Sequence, residues 1–161
     1  DEAVNSLCQG VDLDPTDTKA LYFLGKVYDV SPQLANEVTK RLAQFVALYP
    51  QNAAANYYYA LSLRKRSQST ISAETNKRAE TLLNTAVKLN PALAEAHYEL
   101  GVLYEEESLD DKARQEYEAA AKAAPGLDKA HFRLARLYQK HGSTAMAQKE
   151  FKAFEASKVK H

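Results

Sequence analysis

The chain has 161 residues, enough for a continuous hydrophobic core in one ordinary domain. Lys plus Arg equals Asp plus Glu at 21 each, which speaks against a nucleic-acid protein, whose affinity rests on many phosphate-neutralising cations, and against a surface built for anionic lipid. The one cysteine, Cys8, precludes an intrachain disulfide and reads as a small apolar packer rather than a reactive thiol. No run approaches the roughly 20 apolar residues that a membrane-crossing helix needs.

In chain order, the first segment (Asp1–Leu13) begins mid-pattern, with Ala3, Leu7 and Gly10 at the steps of a second helix whose partner is missing. The sequence is therefore expected to be a piece of a longer protein or a processed product. With only 5 glycines and 5 prolines, and Ala, Leu, Glu and Lys plentiful, helix is favoured throughout. Pro15, Pro50, Pro91 and Pro125 each close a helical stretch of similar pattern. The first two lie 35 residues apart, the middle pair 41 and the last two 34. A period near 34 residues marks an array of helical hairpins, each unable to bury its apolar face alone.

The unit after Pro15 carries Leu24, Gly25 and Tyr28 on its first helix, and Val38, Leu42 and Phe45 on its second. Ser31-Pro32 between them reads as an N-cap followed by a first-turn proline. The unit after Pro50 repeats the slots as Tyr59, Ala60 and Leu63, then Ala79, Leu83 and Ala86, with seven extra residues assigned to the turn around Arg64–Thr75. That charged, hydroxyl-rich stretch is either a tolerated surface loop or a docking or modification loop. The unit after Pro91 has Leu100, Gly101, Leu103 and Tyr104, then Ala113, Tyr117 and Ala120. Thirty-four residues on come Leu134, Ala135 and Tyr138, then Ala147, Phe151 and Phe154. Large residues fill the gap between paired helices, and Gly or Ala at the crossing lets the backbones approach. Asp110 and Ser143 are candidate caps of later second helices.

This pattern resembles the tetratricopeptide repeat family, most closely in Ala94–Pro125, and in register over nearly the whole chain. Two departures stand out: the seven-residue insertion, and the bulky slot early in each first helix, which holds Leu21, Asn56, His97 and His131. The resemblance implies an all-α, right-handed superhelical array of antiparallel hairpins, an α-solenoid of about nine helices. Residues 1–14 are then the second helix of a truncated repeat, 15–50 repeat 1, 51–91 repeat 2 with the insertion, 92–125 repeat 3, and 126–161 repeat 4 with a C-terminal cap.

In this family the first helices of successive repeats line a concave groove. Carried onto this chain, the groove stripe runs through Tyr22, Phe23 and Lys26, then Tyr57, Tyr58, Leu61 and Arg64, then Tyr98, Glu99 and Val102, then Phe132, Arg133 and Arg136. The recurring rings either form a ladder of interface anchors or cover the neighbouring helix. Charge alternates along the same stripe, basic at Arg64–Arg66, acidic from Glu99 to Asp111 and basic again from Arg133 to Lys140. These patches are either solvated faces or a device that sets the register of a bound segment. A subset of the family grips terminal carboxylates with Lys and Asn residues. Lys129 and Arg133 match one piece of that clamp, but Glu99 would repel a carboxylate and Leu61 and Val102 offer no amide, so the clamp is not expected.

His97 and His131 occupy equivalent places and are expected to form a partly buried, hydrogen-bonded pair rather than a metal site, since zinc wants three or four ligands. No phosphate loop, nucleophile elbow or zinc-protease signature is present. The expected function is a non-catalytic protein–protein interaction scaffold that holds a peptide or partner segment, with no cofactor, metal, nucleic acid or membrane insertion. Two alternatives stay open. The chain is the regulatory or substrate-presenting arm of a larger enzyme, or it self-associates through Val4, Leu7 and Val11 of the truncated N-terminal helix.

Overall fold

The computed structural model describes residues 2, 6, 9, 10, 19, 21–25, 34–66 and 72–158. Among these there are seven bounded helices and no strand, and residues 21–25 are helical as well. The chain is thus all-α, as the hairpin pattern requires. It divides into two compact units, residues 1–89 and 90–161.

In the first unit, α1 (Ala35–Leu48), α2 (Ala53–Arg66) and α3 (Ala73–Leu89) follow one another, with α2 packed against both neighbours. Val38, Leu42 and Phe45 of α1 are spaced four and three apart, so they share one face, and that face is buried. They form a core with Leu21, Leu24, Ala55 and Tyr59, where each large side chain withdrawn from water contributes about 1.5–3 kcal/mol. Ala79, Leu83 and Ala86 give α3 the same four-and-three stripe. Asn52 caps α2 by accepting the Ala55 N–H at 2.9 Å, and Ser72 Oγ accepts the Thr75 N–H at 3.1 Å to start α3. The seven extra residues spread over the whole hairpin. Three lengthen α3 (17 residues against 14 in its counterpart), one lengthens α2 (14 against 13), and the rest fall between Arg66 and Ala73. Residues 67–71 of that turn lie outside the described residues, as do Ser31 and Pro32.

The second unit consists of α4 (Ala94–Glu106), α5 (Asp110–Ala123), α6 (Asp128–Lys140) and α7 (Thr144–Lys158). α4 pairs with α5, α6 with α7, and α5 packs on α6. Leu100, Leu103, Tyr104, Ala113, Tyr117 and Ala120 are all buried, as are Leu134, Ala135 and Ala147 thirty-four residues after their counterparts. At the α4–α5 crossing, a Cβ on Gly101 would stand 2.5 Å from Cδ1 and Cε1 of the Tyr117 ring, so only a residue without one fits.

α4 and α6 end in the same way. The Leu109 N–H reaches the Tyr104 carbonyl at 2.8 Å, and the Ser143 N–H reaches that of Tyr138 at 2.8 Å. This six-to-one closure puts Ser108 (φ 60°) and Gly142 (φ 73°) in the left-handed region. Asp110 does not cap α5. Leu109 holds the N-cap position without a side-chain bond, and Asp110 is the first helical residue, its carboxylate turned to other partners. The left-handed turn at Ser108 ends one residue before Leu109, which moves the helix start later than the polar break implies.

Candidate functional site

In the first unit, the expected stripe brings three rings together. Tyr22 and Phe23 are 47 % and 52 % exposed and meet edge-on with centroids 5.6 Å apart. With Lys19 and Tyr58 they line a shallow depression of about 460 Å³. Gly25 lets the Tyr58 ring pack close, because a Cβ there would overlap Cδ1 of that ring. Tyr57 does not share this surface. It is buried, with its ring centroid 4.9 Å from that of Tyr58, and so is not presented as an open anchor. The cause is rotational phase, since consecutive residues on a helix point about 100° apart. Leu61 and Arg64 are half-buried, and Lys26 lies outside the described residues. So do Val4, Leu7 and Val11, on which self-association was expected to rest.

In the second unit, Tyr98, Glu99, Val102 and Arg133 are half-buried, while Phe132 and Arg136 are exposed. The Lys129 ammonium sits 4.2 Å from the Tyr98 ring centroid, a cation–π contact. Phe132 leans on Phe151 and Phe154 of α7, with centroids 6.3 and 5.3 Å away.

Several charges of the third and fourth repeats engage one another. Arg133 of α6 donates to Glu105 of α4 at 3.3 Å, and the same carboxylate oxygen accepts the Tyr117 hydroxyl at 2.8 Å. Burial, with Glu105 as acceptor, pushes the Tyr117 hydroxyl well above its ordinary pKa. Tyr138 donates to Glu118 at 2.7 Å, and burial together with that bond pushes its hydroxyl up to about 12. Lys140 and His141 both bond Asp110 Oδ2, and the Lys140 bond, then that of His141, lowers the Asp110 pKa. The acidic third repeat and basic fourth repeat therefore fix hairpin on hairpin. Lys129 and Arg133 already have partners in Tyr98 and Glu105, which leaves no ready carboxylate clamp.

The histidines do not pair with each other. His97 Nδ1 lies 2.7 Å from Glu116 Oε2 and its Nε2 lies 3.2 Å from the Pro91 carbonyl oxygen. His131 repeats this with Glu150 at 2.7 Å and the Pro125 carbonyl at 3.1 Å. Each ring joins the turn before its own hairpin to the second helix of that hairpin. The missed signal was the pair of glutamates, each 19 residues after its histidine and themselves 34 apart. Among the described residues no group of three or more His, Cys, Asp or Glu is placed to hold a metal, and no helix is long and apolar enough to cross a membrane.

Residues 71–128 match a family model described as tetratricopeptide repeat. A crystal structure of MamA is similar at 27 % identity, covering 98 % of this chain and 87 % of that one, with a TM-score of 0.72. Two more distant structures share the fold. TTC0263, a thermophilic TPR protein of Thermus thermophilus, is 22 % identical over 94 % of this chain and 80 % of its own, with a TM-score of 0.70. MamA from Desulfovibrio magneticus RS-1 is 21 % identical over 99 % and 86 %, also with a TM-score of 0.70. No curated protein sequence matches. The proline-punctuated hairpins, the small residues at their crossings and these likenesses together show the helical-solenoid fold of tetratricopeptide repeat proteins, with residues 71–128 matching that repeat itself, a fold that generally serves as a protein-interaction scaffold.

Proposed function

We propose that the chain is a non-catalytic scaffold that holds a peptide or partner segment on its first-helix face, with Tyr22, Phe23 and Tyr58 as anchors. The observation that carries this reading is the pair of large rings about half in water beside the depression that Lys19 and Tyr58 complete. Tyr and Phe provide wide contact area with few rotors to freeze, which is why aromatic side chains dominate interface hot spots. Exposed rings placed together around a concavity are a feature of binding surfaces more than of inert ones. In the second unit Phe132 and Arg136 are the residues of the stripe that remain open to a partner.

Peptides selected from a displayed random library against the whole chain test the reading. Their affinity for a Tyr22→Ala/Phe23→Ala variant should fall roughly 30-fold or more, as for loss of a hot spot worth about 2 kcal/mol. Circular dichroism would verify that helicity is kept. Undiminished binding to a folded variant would refute the anchor assignment.

A further inference from the structure

The two histidine–glutamate pairs carry a consequence for pH. A neutral imidazole has one N–H donor and one bare nitrogen. Both nitrogens of His97, and both of His131, face oxygen acceptors, a carboxylate on one side and a proline carbonyl on the other. With the ring neutral and the glutamate ionised, one nitrogen lone pair must face an oxygen lone pair. The arrangement is satisfied only when each pair holds one further proton, on the imidazole or on the carboxyl. We propose that these pairs are proton-held staples, and that the hairpin closed by His97 and Glu116 loosens as the pH rises and its proton leaves.

The His131 site is the more enclosed of the two, since its bond to Glu150 is buried while the His97 bond to the Pro91 carbonyl lies at the surface. His131 is 8 % exposed and Glu150 9 %, while the His97 and Glu116 side chains are 13 % and 24 % exposed. At His131 a polar group left without its partner cannot turn freely to water. The Glu116 bond raises the His97 pKa above the ordinary 6.5, outweighing the opposing effect of burial. A raised folded-state value means that the stabilisation is complete below about 6.5 and is lost as the pH climbs through the higher value.

Among the described residues, the charged groups placed near the two rings are as follows. Glu116 is the group of α5 that faces His97. The charged contacts of α6 with α4 include Lys129 to Tyr98 and Arg133 to both Glu105 and Tyr98. Glu150 of α7 faces His131. Asp128, one turn earlier on α6, accepts the Lys129 N–H through its side chain. From α5, Asp110 and Glu118 meet α6 at Lys140, His141 and Tyr138, seven or more residues beyond His131 and so roughly 10 Å along the axis.

The chain also contains the version without the proton. At the place of His97, the second repeat has Asn56, whose amide donates to the Pro50 carbonyl at 3.0 Å. At the place of Glu116 it has the half-buried Leu82. Asn–Leu keeps the turn-to-helix bond and does not titrate, so the pH response belongs to the second unit.

Histidine ring nitrogen shifts recorded on the whole chain by NMR test this directly, because only four histidines need resolving. The His97 ring should carry protons on both nitrogens at the acid end of the titration and lose one only as the pH climbs above the ordinary 6.5. The thermal midpoint should fall over the same rise in pH in a His141→Gln background, which removes the imidazole beside Asp110. A further His97→Asn/His131→Asn change, which copies Asn56, should abolish that fall. Rings that stay singly protonated beside ionised glutamates throughout would overturn the proposal, as would a fall undiminished in the asparagine variant. If that variant does not fold, the ring shifts decide alone.

Discussion

The Gly101→Ala change tests whether the α4–α5 crossing is as tight as its geometry says. The added methyl would meet two carbons of Tyr117 at 2.5 Å, well inside van der Waals contact. Tyr117 is fully buried and its hydroxyl is tied to Glu105, so the ring cannot step aside without breaking that bond. Overpacking of this kind costs about 1–3 kcal/mol. Alanine gives back up to about 1 kcal/mol through its better helix propensity. The steric effect wins, with a net loss of about 1–2 kcal/mol. For a unit of this size that lowers the melting midpoint by roughly 5–10 °C, read by far-ultraviolet circular dichroism and urea titration. The second repeat indicates the rescue, because Ala60 and Leu83, both buried, hold the equivalent places. Adding Tyr117→Leu should therefore cost less in the Gly101→Ala protein than in the parent, a favourable coupling of more than about 0.5 kcal/mol in a double-mutant cycle. A Gly101→Ala protein as stable as the parent, or additive losses in the cycle, would refute the argument.

Two further outcomes concern the second unit. Gly142→Ala meets nothing within 4 Å, yet it should cost about 1 kcal/mol in urea titration, because φ of 73° strains any residue with a Cβ. The Lys140 and His141 bonds lower the Asp110 pKa, so their stabilisation is present above the ordinary 3.8 and is lost as the pH falls through the lower folded value. Asp110→Asn should flatten the acid limb of the melting-midpoint profile below about pH 4 and leave no larger loss at neutral pH than the removal of a surface pair brings.

The hairpins were legible because their signals are local and periodic. Four-and-three spacing identified Val38, Leu42 and Phe45, or Ala113, Tyr117 and Ala120, as single buried faces, and proline marked the turns between them. Gly101 was legible for the same reason, a small residue where two helices cross. What failed to show was anything that depends on rotational phase or on a partner in another helix. Tyr57 and Tyr58 are neighbours in sequence, yet one is buried and the other lines the depression, a difference set by how α2 is clasped from both sides. Asp110 looked like a cap until the left-handed turn at Ser108 moved the helix start. The histidines looked like partners because they share a repeat position. Their real partners, Glu116 and Glu150, carry the same period but lie on the facing helices. Charge runs read as open faces because a linear sequence does not show that the cations of one hairpin answer the carboxylates of the last.

Glu105 takes a hydroxyl from its own hairpin and a guanidinium from the following one on a single oxygen. Positions 105, 117 and 133 therefore cannot drift independently: a change acceptable at one depends on what stands at the other two. A scan that alters them singly cannot apportion their contributions, and an engineer who transplants α6 and α7 onto another array must bring a matching acceptor along.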